Sequence, residues 1–225
     1  MDDILIYTQM IEHHQAVVTQ VLDMLQRHQL YLKAEKCSFE CSTVEYLGLV
    51  LSEGHMEMDP IKIAGVQDWL TPKNITEVQS FVGFVNFYRR FIPNFLHVAG
   101  PLHHLTKKEE LWQWTEPEEM AFQELKSLIT SAPVFILPNQ DTCFQLETDA
   151  SSYVTGVILS QLCDDEKWHL VGFTSKSLSP AKCNYAIYDK ELLSVICGPE
   201  EWRHILEGTK HRIEILNDHR NLMYF

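Results

Sequence analysis

The sequence FQLETDASSYVTGVILSQ, residues 144–161, predicts a strand, a turn and a second strand. Phe144 and Leu146 alternate with polar residues, the period-two pattern of a half-buried strand. Residues 156–159 form a short apolar run that is typical of a buried partner strand. Asp149 lies where the first strand ends, and an aspartate there is most often a turn residue. On a rigid strand end, however, a carboxylate is also well held and open to solvent, as a metal ligand must be.

Two further carboxylates occur downstream at suggestive positions. AIYDKELLSVI (186–196) places Glu191 on a predicted helix, and HRIEILNDH (211–219) predicts a strand that ends at Asp218. Three acids brought to one point repel one another, so a bound cation would stabilise the group. Oxygen-only ligands favour a hard ion such as Mg2+, and a pair of such ions is a common device for splitting a phosphodiester. Asp149, Glu191 and Asp218 are therefore candidate metal ligands.

Several segments resemble the RNase H domain of gypsy-class LTR retrotransposon polyproteins. These segments are TDASS (148–152), GVILSQ (156–161), FTSKSLSPAKCNYAIYDKELL (173–193), EWRHILEG (201–208) and ILNDHRNLMYF (215–225). The resemblance implies a two-metal ribonuclease that cuts the RNA strand of an RNA–DNA hybrid. Asp149, Glu191 and Asp218 would be its catalytic, metal-holding residues, with Mg2+ as the cofactor and Mn2+ as an alternative. Asn217 stands where the family commonly has threonine.

The residues before this domain resemble the end of the reverse transcriptase that precedes it in the same family. MDDILIYT (1–8) is similar to the Y-x-D-D catalytic hairpin with the tyrosine missing. The resemblance implies that Asp2 binds the catalytic metal and that Asp3 is the neighbouring acid. Residues 36–74 and 78–95 are similar to the following hairpin, thumb and connection region.

The resemblance implies an α+β fold, in which a palm-remnant hairpin and a helical thumb and connection precede an RNase H-like mixed sheet with helices. The expected domains are a palm remnant at 1–53, the mainly helical thumb and connection at 54–137, and an incomplete RNase H-like domain at 138–225. Relative to the family, the upstream aspartate, the fingers and most of the palm are expected to be missing. RNA-directed DNA polymerase activity is therefore not expected of this chain.

We also expect the fourth acid of the family, and its last strand and helix, to lie beyond Phe225. Three interpretations therefore stay open. The chain is an RNase H-type endoribonuclease, an inactive transposon remnant, or a domesticated module that binds nucleic acid or protein.

The net charge of −13 is spread along the whole chain. Charged residues sum to −5 over residues 1–53, −3 over 54–137 and −5 over 138–225, so none of these segments is basic. Because affinity for phosphate comes largely from Lys and Arg, we expect the chain alone to bind an RNA–DNA hybrid weakly. The remaining Pol polyprotein segments are the other expected partners, since they would supply basic surface.

The sequence shows no recognisable signal peptide and no apolar run long enough to cross a bilayer, so no membrane partner is expected. Of its six cysteines, only Cys37 and Cys41 are close together, and no second pair completes a zinc pattern. We expect free thiols in a reducing intracellular compartment, either the cytoplasm or the nucleus.

Local patterns predict further elements. Apolar spacing predicts a helix over residues 11–32, while Phe39 and residues 44–51 predict strands. Arg89 and Arg90 follow a predicted apolar helix face. They would either contact a phosphate backbone or complement the dipole at the end of that helix.

Two expectations concern the residues on either side of Glu191. Residues 179–185 are predicted to form a loop, which the resemblance places near the substrate. Gly198-Pro199 is expected to break or kink the helix that carries Glu191, because proline lacks the N–H that an interior helical turn requires.

Overall fold

The structure is a computed structural model that describes residues 3–108 and 110–218. The chain divides into two compact units, residues 1–53 and residues 54–225. The elements of the first unit are helix α1 (Ile11–Arg27), a 3-10 turn (Ala34–Lys36) and strands β1 (Val44–Tyr46) and β2 (Leu49–Ser52).

The first unit ends in an antiparallel hairpin in which Val44 of β1 pairs with Leu51 of β2. Leu47 and Gly48 connect the strands with φ angles of 50° and 78°. These left-handed conformations suit a two-residue hairpin turn. The prediction of strands within residues 44–51 is therefore confirmed, with a turn between the two strands. Phe39, by contrast, lies outside any strand, and 54% of its surface is exposed.

Helix α1 ends earlier than its apolar spacing predicts. Gln29 has a φ of 57°, and the Leu30 N–H donates to the Leu25 carbonyl over 2.9 Å. This is the left-handed C-terminal cap that satisfies the last carbonyls of a helix. The cap stops α1 at Arg27, so the predicted extension to residue 32 is wrong.

The second unit contains the remaining elements. Its helices are α2 (Pro60–Gln67), α3 (Ile75–Phe87), α4 (Phe95–Val98), α5 (Gly100–Leu105), α6 (Glu116–Thr130), α7 (Pro180–Cys183), α8 (Ile187–Glu201) and α9 (Arg203–Leu206), with a 3-10 turn at Arg89–Phe91. Its strands are β3 (His55–Met58), β4 (Phe135–Ile136), β5 (Phe144–Ala150), β6 (Val154–Leu162), β7 (Trp168–Ser177) and β8 (Ile213–Asn217). Among the described helices, none is both long and apolar enough to cross a bilayer.

Polar side chains fix the starts of the helices before the sheet. Asp59 accepts a hydrogen bond from the Ile61 N–H over 2.8 Å, directly before a proline at the first position of α2. Asn74 accepts from the Glu77 N–H over 3.0 Å at the start of α3. Thr115 forms a capping box with a glutamate three residues later at the start of α6. Such caps satisfy N–H groups that have no partner inside the helix.

A four-stranded mixed sheet forms the frame of the second half of the chain, in the order β7-β6-β5-β8. Strands β5, β6 and β7 are antiparallel neighbours, whereas β8 runs parallel to β5. Strand β3 pairs antiparallel with β4, outside this mixed sheet. The predicted α+β class with a mixed sheet is confirmed.

The core of the sheet joins the preceding helices through aromatic contacts. The ring of Phe135 on β4 stacks on Phe91 at 4.5 Å and meets Phe173 of β7 edge-on at 5.7 Å between centroids. The helical segment and the sheet thus lie in one compact unit. The domain boundary between residues 137 and 138 stays a prediction.

Helix α8 continues through Pro199 and ends at Glu201. The predicted break at Gly198-Pro199 is therefore wrong, whereas a kink there stays a prediction. The reason is packing: a Cβ at Gly198 would lie 3.0 Å from Cγ1 of Val157, so glycine allows α8 to lie directly on β6. This tertiary contact outweighs the one backbone bond that proline cannot make.

The predicted loop before α8 contains a short helix. Residues Pro180–Cys183 form the single turn α7, and the Ser179 hydroxyl accepts a hydrogen bond from the Lys182 N–H over 3.4 Å. A capping serine followed by proline is a helix-start signal, which explains the turn.

Candidate metal site

Two aspartates reach the same edge of the sheet because β5 and β8 are parallel. Thr148 of β5 pairs with Asn217 of β8. Asp149 and Asp218 are the next residues along the chain, so they also lie side by side. Parallel strands end on the same side, which explains how residues 69 positions apart become neighbours. Both aspartates are exposed.

Helix α8 brings the third carboxylate to this edge. It packs across β5 and β6, where Gly198 lies close to both Leu146 and Val157. Its N-terminal half therefore carries Glu191 to the strand ends. Glu191 is only 4% exposed, unlike the two aspartates.

The three residues Asp149, Glu191 and Asp218, hereafter the acidic triad, each offer a carboxylate oxygen, and these oxygens all lie within 4.8 Å of one another. Among residues 3–108 and 110–218, this is the one such group of three or more His, Cys, Asp or Glu side chains. The structure thus brings together all three acids that the sequence predicts in this region. Their role as metal ligands stays a prediction.

Burial raises the pKa of Glu191, and the negative charges of Asp149 and Asp218 raise it further. The opposing influences are hydrogen bonds from the Asn217 side chain and the Ala150 N–H, which favour the ionised form. A buried carboxylate with a raised pKa and two acidic neighbours is an environment that a cation relieves.

Asn217 is a site residue to which the sequence patterns assign no role. Its Nδ2 donates to Oε2 of Glu191 over 2.9 Å, and also lies 3.1 Å from the Thr148 carbonyl and 3.0 Å from the Thr148 hydroxyl. It therefore links β5, β8 and α8 at the point where the acids meet. Its position directly before Asp218 was the signal that could have indicated this function.

Two neighbours of Glu191 on α8 were also not identified from the sequence. Lys190 is buried, and its Nζ donates to the Ser152 carbonyl over 3.2 Å, in the turn that follows Asp149. The fully buried Ser194 hydroxyl donates to the carbonyl of Glu191 over 2.7 Å. Both contacts fix the helix or the turn on which an acid stands.

The acids predicted at the start of the chain belong to the other unit. Asp3 is exposed and lines a cleft of about 510 Å3, together with apolar residues of α1 such as Val18 and Leu25. Asp2 lies outside the described residues. A metal role for Asp2 and Asp3 stays a prediction.

The arrangement has the composition of a site for hard divalent ions. All of its ligand atoms are carboxylate oxygens, two of the acids are open to solvent, and the third is held by an amide. Oxygen donors of this kind suit ions such as Mg2+, Mn2+ and Ca2+. Among the described residues, one acid of the site is buried and two are exposed.

Comparison with known proteins agrees with the fold and with the order of its parts. Residues 114–215 match the RNase H-like domain found in reverse transcriptase, and residues 1–51 match reverse transcriptase (RNA-dependent DNA polymerase). These matches define the class: the end of a reverse transcriptase segment followed by an RNase H-like domain.

Relatives identify the family. The Transposon Tf2-3 polyprotein of Schizosaccharomyces pombe is 39% identical over 223 residues, and the Tf2-7 polyprotein of the same organism is 38% identical. The alignments cover 99% of this chain, which spans 17% of the length of those polyproteins. The chain belongs to the family of gypsy-class LTR retrotransposon polyproteins.

Solved structures support the same fold. Foamy viral protease-reverse transcriptase in complex with double-stranded DNA matches with a TM-score of 0.74 and 17% identity, over 97% of this chain and 39% of the viral one. The foamy viral enzyme in complex with an RNA/DNA hybrid also matches with a TM-score of 0.74, at 18% identity, over 94% of this chain and 28% of the viral one. The shared fold is that of a reverse transcriptase with its following domain.

Proposed function

We propose that the acidic triad hydrolyses the RNA strand of an RNA–DNA hybrid, with Mg2+ as the natural cofactor and Mn2+ as a substitute. The observation that carries this proposal is the convergence of three carboxylates, from two strand ends and a helix, within 4.8 Å. The metal-dependent RNase H-like family supports it, as does the solved viral relative in complex with a hybrid.

Each acid has a separate task in this proposal. Asp149 and Asp218 are exposed, so they form the side of the site that a phosphodiester approaches. Glu191 is buried and anchors the site, with its carboxylate oriented by the Asn217 amide. When bound, divalent ions would supply an activated water and stabilise the leaving 3′ oxygen.

The test is cleavage of a labelled RNA–DNA hybrid in the presence of Mg2+, compared between the wild-type chain and Asp149→Asn. We expect cleavage by the wild type and its loss in the variant. The matched control is Asp164→Asn, which removes an exposed acid from a turn outside the triad and should retain cleavage.

A circular-dichroism spectrum decides how a negative result is read. A folded wild-type chain that does not cleave the hybrid would contradict the proposal and favour a remnant or a binding module. Cleavage that persists in Asp149→Asn would show that another site carries the activity.

A further inference from the structure

A second feature of the RNase H-like unit is a cleft at the edge strand β7, away from the acidic triad. The cleft has a volume of about 390 Å3, and its walls come from the end of α3, from β6 and β7, and from the C-terminal part of α8. We name it the basic cleft after three of its lining residues, Arg89, Arg90 and Lys176. A single carboxylate, Glu201, also lines it.

The charge of the basic cleft is opposite to that of the chain. Its three cations and one carboxylate give a local excess of positive charge in a protein of net charge −13. Arg90 and Lys176 are exposed, and neither forms an ion pair with another described residue. Cations that line the same cleft repel one another, and an anionic ligand relieves that repulsion.

Arg89 is held in place beside these two cations. Its guanidinium donates to the Ser175 carbonyl of β7 and lies over the ring of Phe95, 5.7 Å from the centroid. A guanidinium has five N–H donors, so this contact leaves others for a ligand. Because Arg89 contacts the backbone of β7, its role is not limited to complementing the dipole at the end of α3.

An aromatic ring completes the cleft. Phe87 lines it and remains 58% exposed, although the ring lies edge-on to Tyr88 at 4.9 Å. An exposed aromatic ring beside a row of cations is the combination by which proteins bind single-stranded nucleic acid. The bases stack on the ring while the cations neutralise phosphates.

The strand register relates the basic cleft to the acidic triad. Thr155, which lines the cleft, pairs with Ala150 of β5 and with Lys176 of β7. Lys176 of the cleft therefore lies two interstrand spacings, about 10 Å, from the end of β5 at which Ala150 follows Asp149.

We propose that the basic cleft binds a single strand of nucleic acid, with phosphates at Arg90 and Lys176 and an unpaired base stacked on Phe87. The inference rests on the proposed function for its class of ligand, and it requires no metal.

The test measures binding of a fluorescein-labelled oligothymidylate DNA by fluorescence anisotropy, in EDTA and over a series of NaCl concentrations. Each phosphate contact on a single strand contributes about 0.7 to the slope of log K against log salt. We therefore expect Arg90→Gln/Lys176→Gln to reduce the slope by about 1.4. Phe87→Ala should weaken binding about tenfold with the slope unchanged, because stacking is not screened by salt.

Matched controls separate the cleft from general charge and aromatic content. Lys62→Gln/Lys73→Gln removes the same charge from exposed positions outside the cleft, and Phe39→Ala removes a similarly exposed ring. Both should bind as the wild type does. Phe87→Leu, which keeps an apolar side chain, provides a second variant should Phe87→Ala unfold.

The outcomes distinguish this inference from the proposed function. Wild-type binding of oligothymidylate that the cleft variants do not change, or no wild-type binding, would overturn the inference. Binding that depends on the cleft, together with absent hybrid cleavage, would support the inference and contradict only the nuclease proposal.

Discussion

Glu191 is the buried member of the acidic triad, and its ionisation couples the site to the stability of the protein. Burial raises its pKa, so the metal-free folded chain holds the Glu191 proton more tightly than the unfolded chain does. The resulting stability is fully present below the unfolded-state pKa of about 4.3 and is lost as pH rises through the higher folded-state pKa.

Replacing Glu191 with Gln removes this titration while keeping the shape of the side chain. In EDTA, we expect the Tm of Glu191→Gln, relative to that of the wild type, to increase as pH rises from 4 towards neutrality. The reason is that the variant never buries a charge at this position. Thermal unfolding at a series of pH values measures the difference. Parallel pH profiles for the two proteins would contradict it.

Asn217 provides the second prediction at this scale. Asn217→Ala removes a hydrogen bond that favours the ionised form of Glu191, so Mn2+ binding should weaken and its pH profile should shift upward. Losses of about 10- to 100-fold are typical when a residue that orients a metal ligand is removed. Mn2+ titration followed by electron paramagnetic resonance measures both effects.

Asn217→Thr is the matched variant for this test. Its hydroxyl can still donate to Glu191, so we expect Mn2+ affinity between those of the wild type and Asn217→Ala. An Ala variant with wild-type affinity and an unchanged pH profile would show that Asn217 has only a structural role.

At the scale of elements, the position of β5 and β6 depends on the helical segment that precedes the sheet. Asn94, at a left-handed φ of 49°, points its side chain at Gly156, the cross-strand partner of Asp149. A Cβ at Gly156 would collide with Oδ1 of Asn94.

Gly156→Ala should therefore destabilise the chain by about 1 kcal/mol, the lower end of the range for overpacking, because the amide end of the Asn94 side chain can shift. Asn94→Gly removes the clashing amide and tolerates the left-handed backbone, so the double variant should recover most of the loss. Urea unfolding of the two single variants and the double variant gives the coupling energy.

Gly83→Ala serves as the control, because a Cβ there meets nothing within 4 Å in the middle of α3. It should be neutral or stabilise the chain by up to about 1 kcal/mol. Equal losses in Gly156→Ala and Gly83→Ala would contradict the proposed contact.

Sequence patterns predict the strands at the site, because β5 and β8 alternate as half-buried strands do and β6 contains a short apolar run. They cannot show that β8 pairs parallel with β5, since that choice depends on contacts between residues far apart in the chain. The same limit explains why the role of Asn217 was missed and why Gly198-Pro199 was expected to break α8. In both cases a tertiary contact, rather than a local preference, determines the outcome.

At the scale of the whole molecule, the net charge of −13 and the acidic triad both destabilise the folded state. Self-repulsion in a strongly charged protein opposes the compact state, and the triad concentrates that repulsion at one edge of the sheet. Divalent cations that bind the acidic triad should therefore raise global stability.

We expect saturating Mg2+ or Mn2+ to raise the Tm of the wild type. At a hundredfold excess over Kd, the free energy of unfolding rises by about 2.7 kcal/mol. Asp149→Asn should show a higher Tm than the wild type in EDTA and little response to the metal, since one repelling ligand is gone. Asp164→Asn should respond as the wild type does. Differential scanning fluorimetry measures these shifts, and equal responses in wild type and Asp149→Asn would contradict the assignment.

The parallel pairing of β5 with β8 also has a consequence during translation. Asp149 leaves the ribosome long before Asp218, and α7, α8 and α9 are made between them. The hairpin of β5 with β6 can form early because its contacts are local, whereas β8 can dock only after the intervening helices have emerged. Synthesis therefore sets the order in which the site is assembled: a nascent polyprotein carries no complete acidic triad until its last ligand has been made.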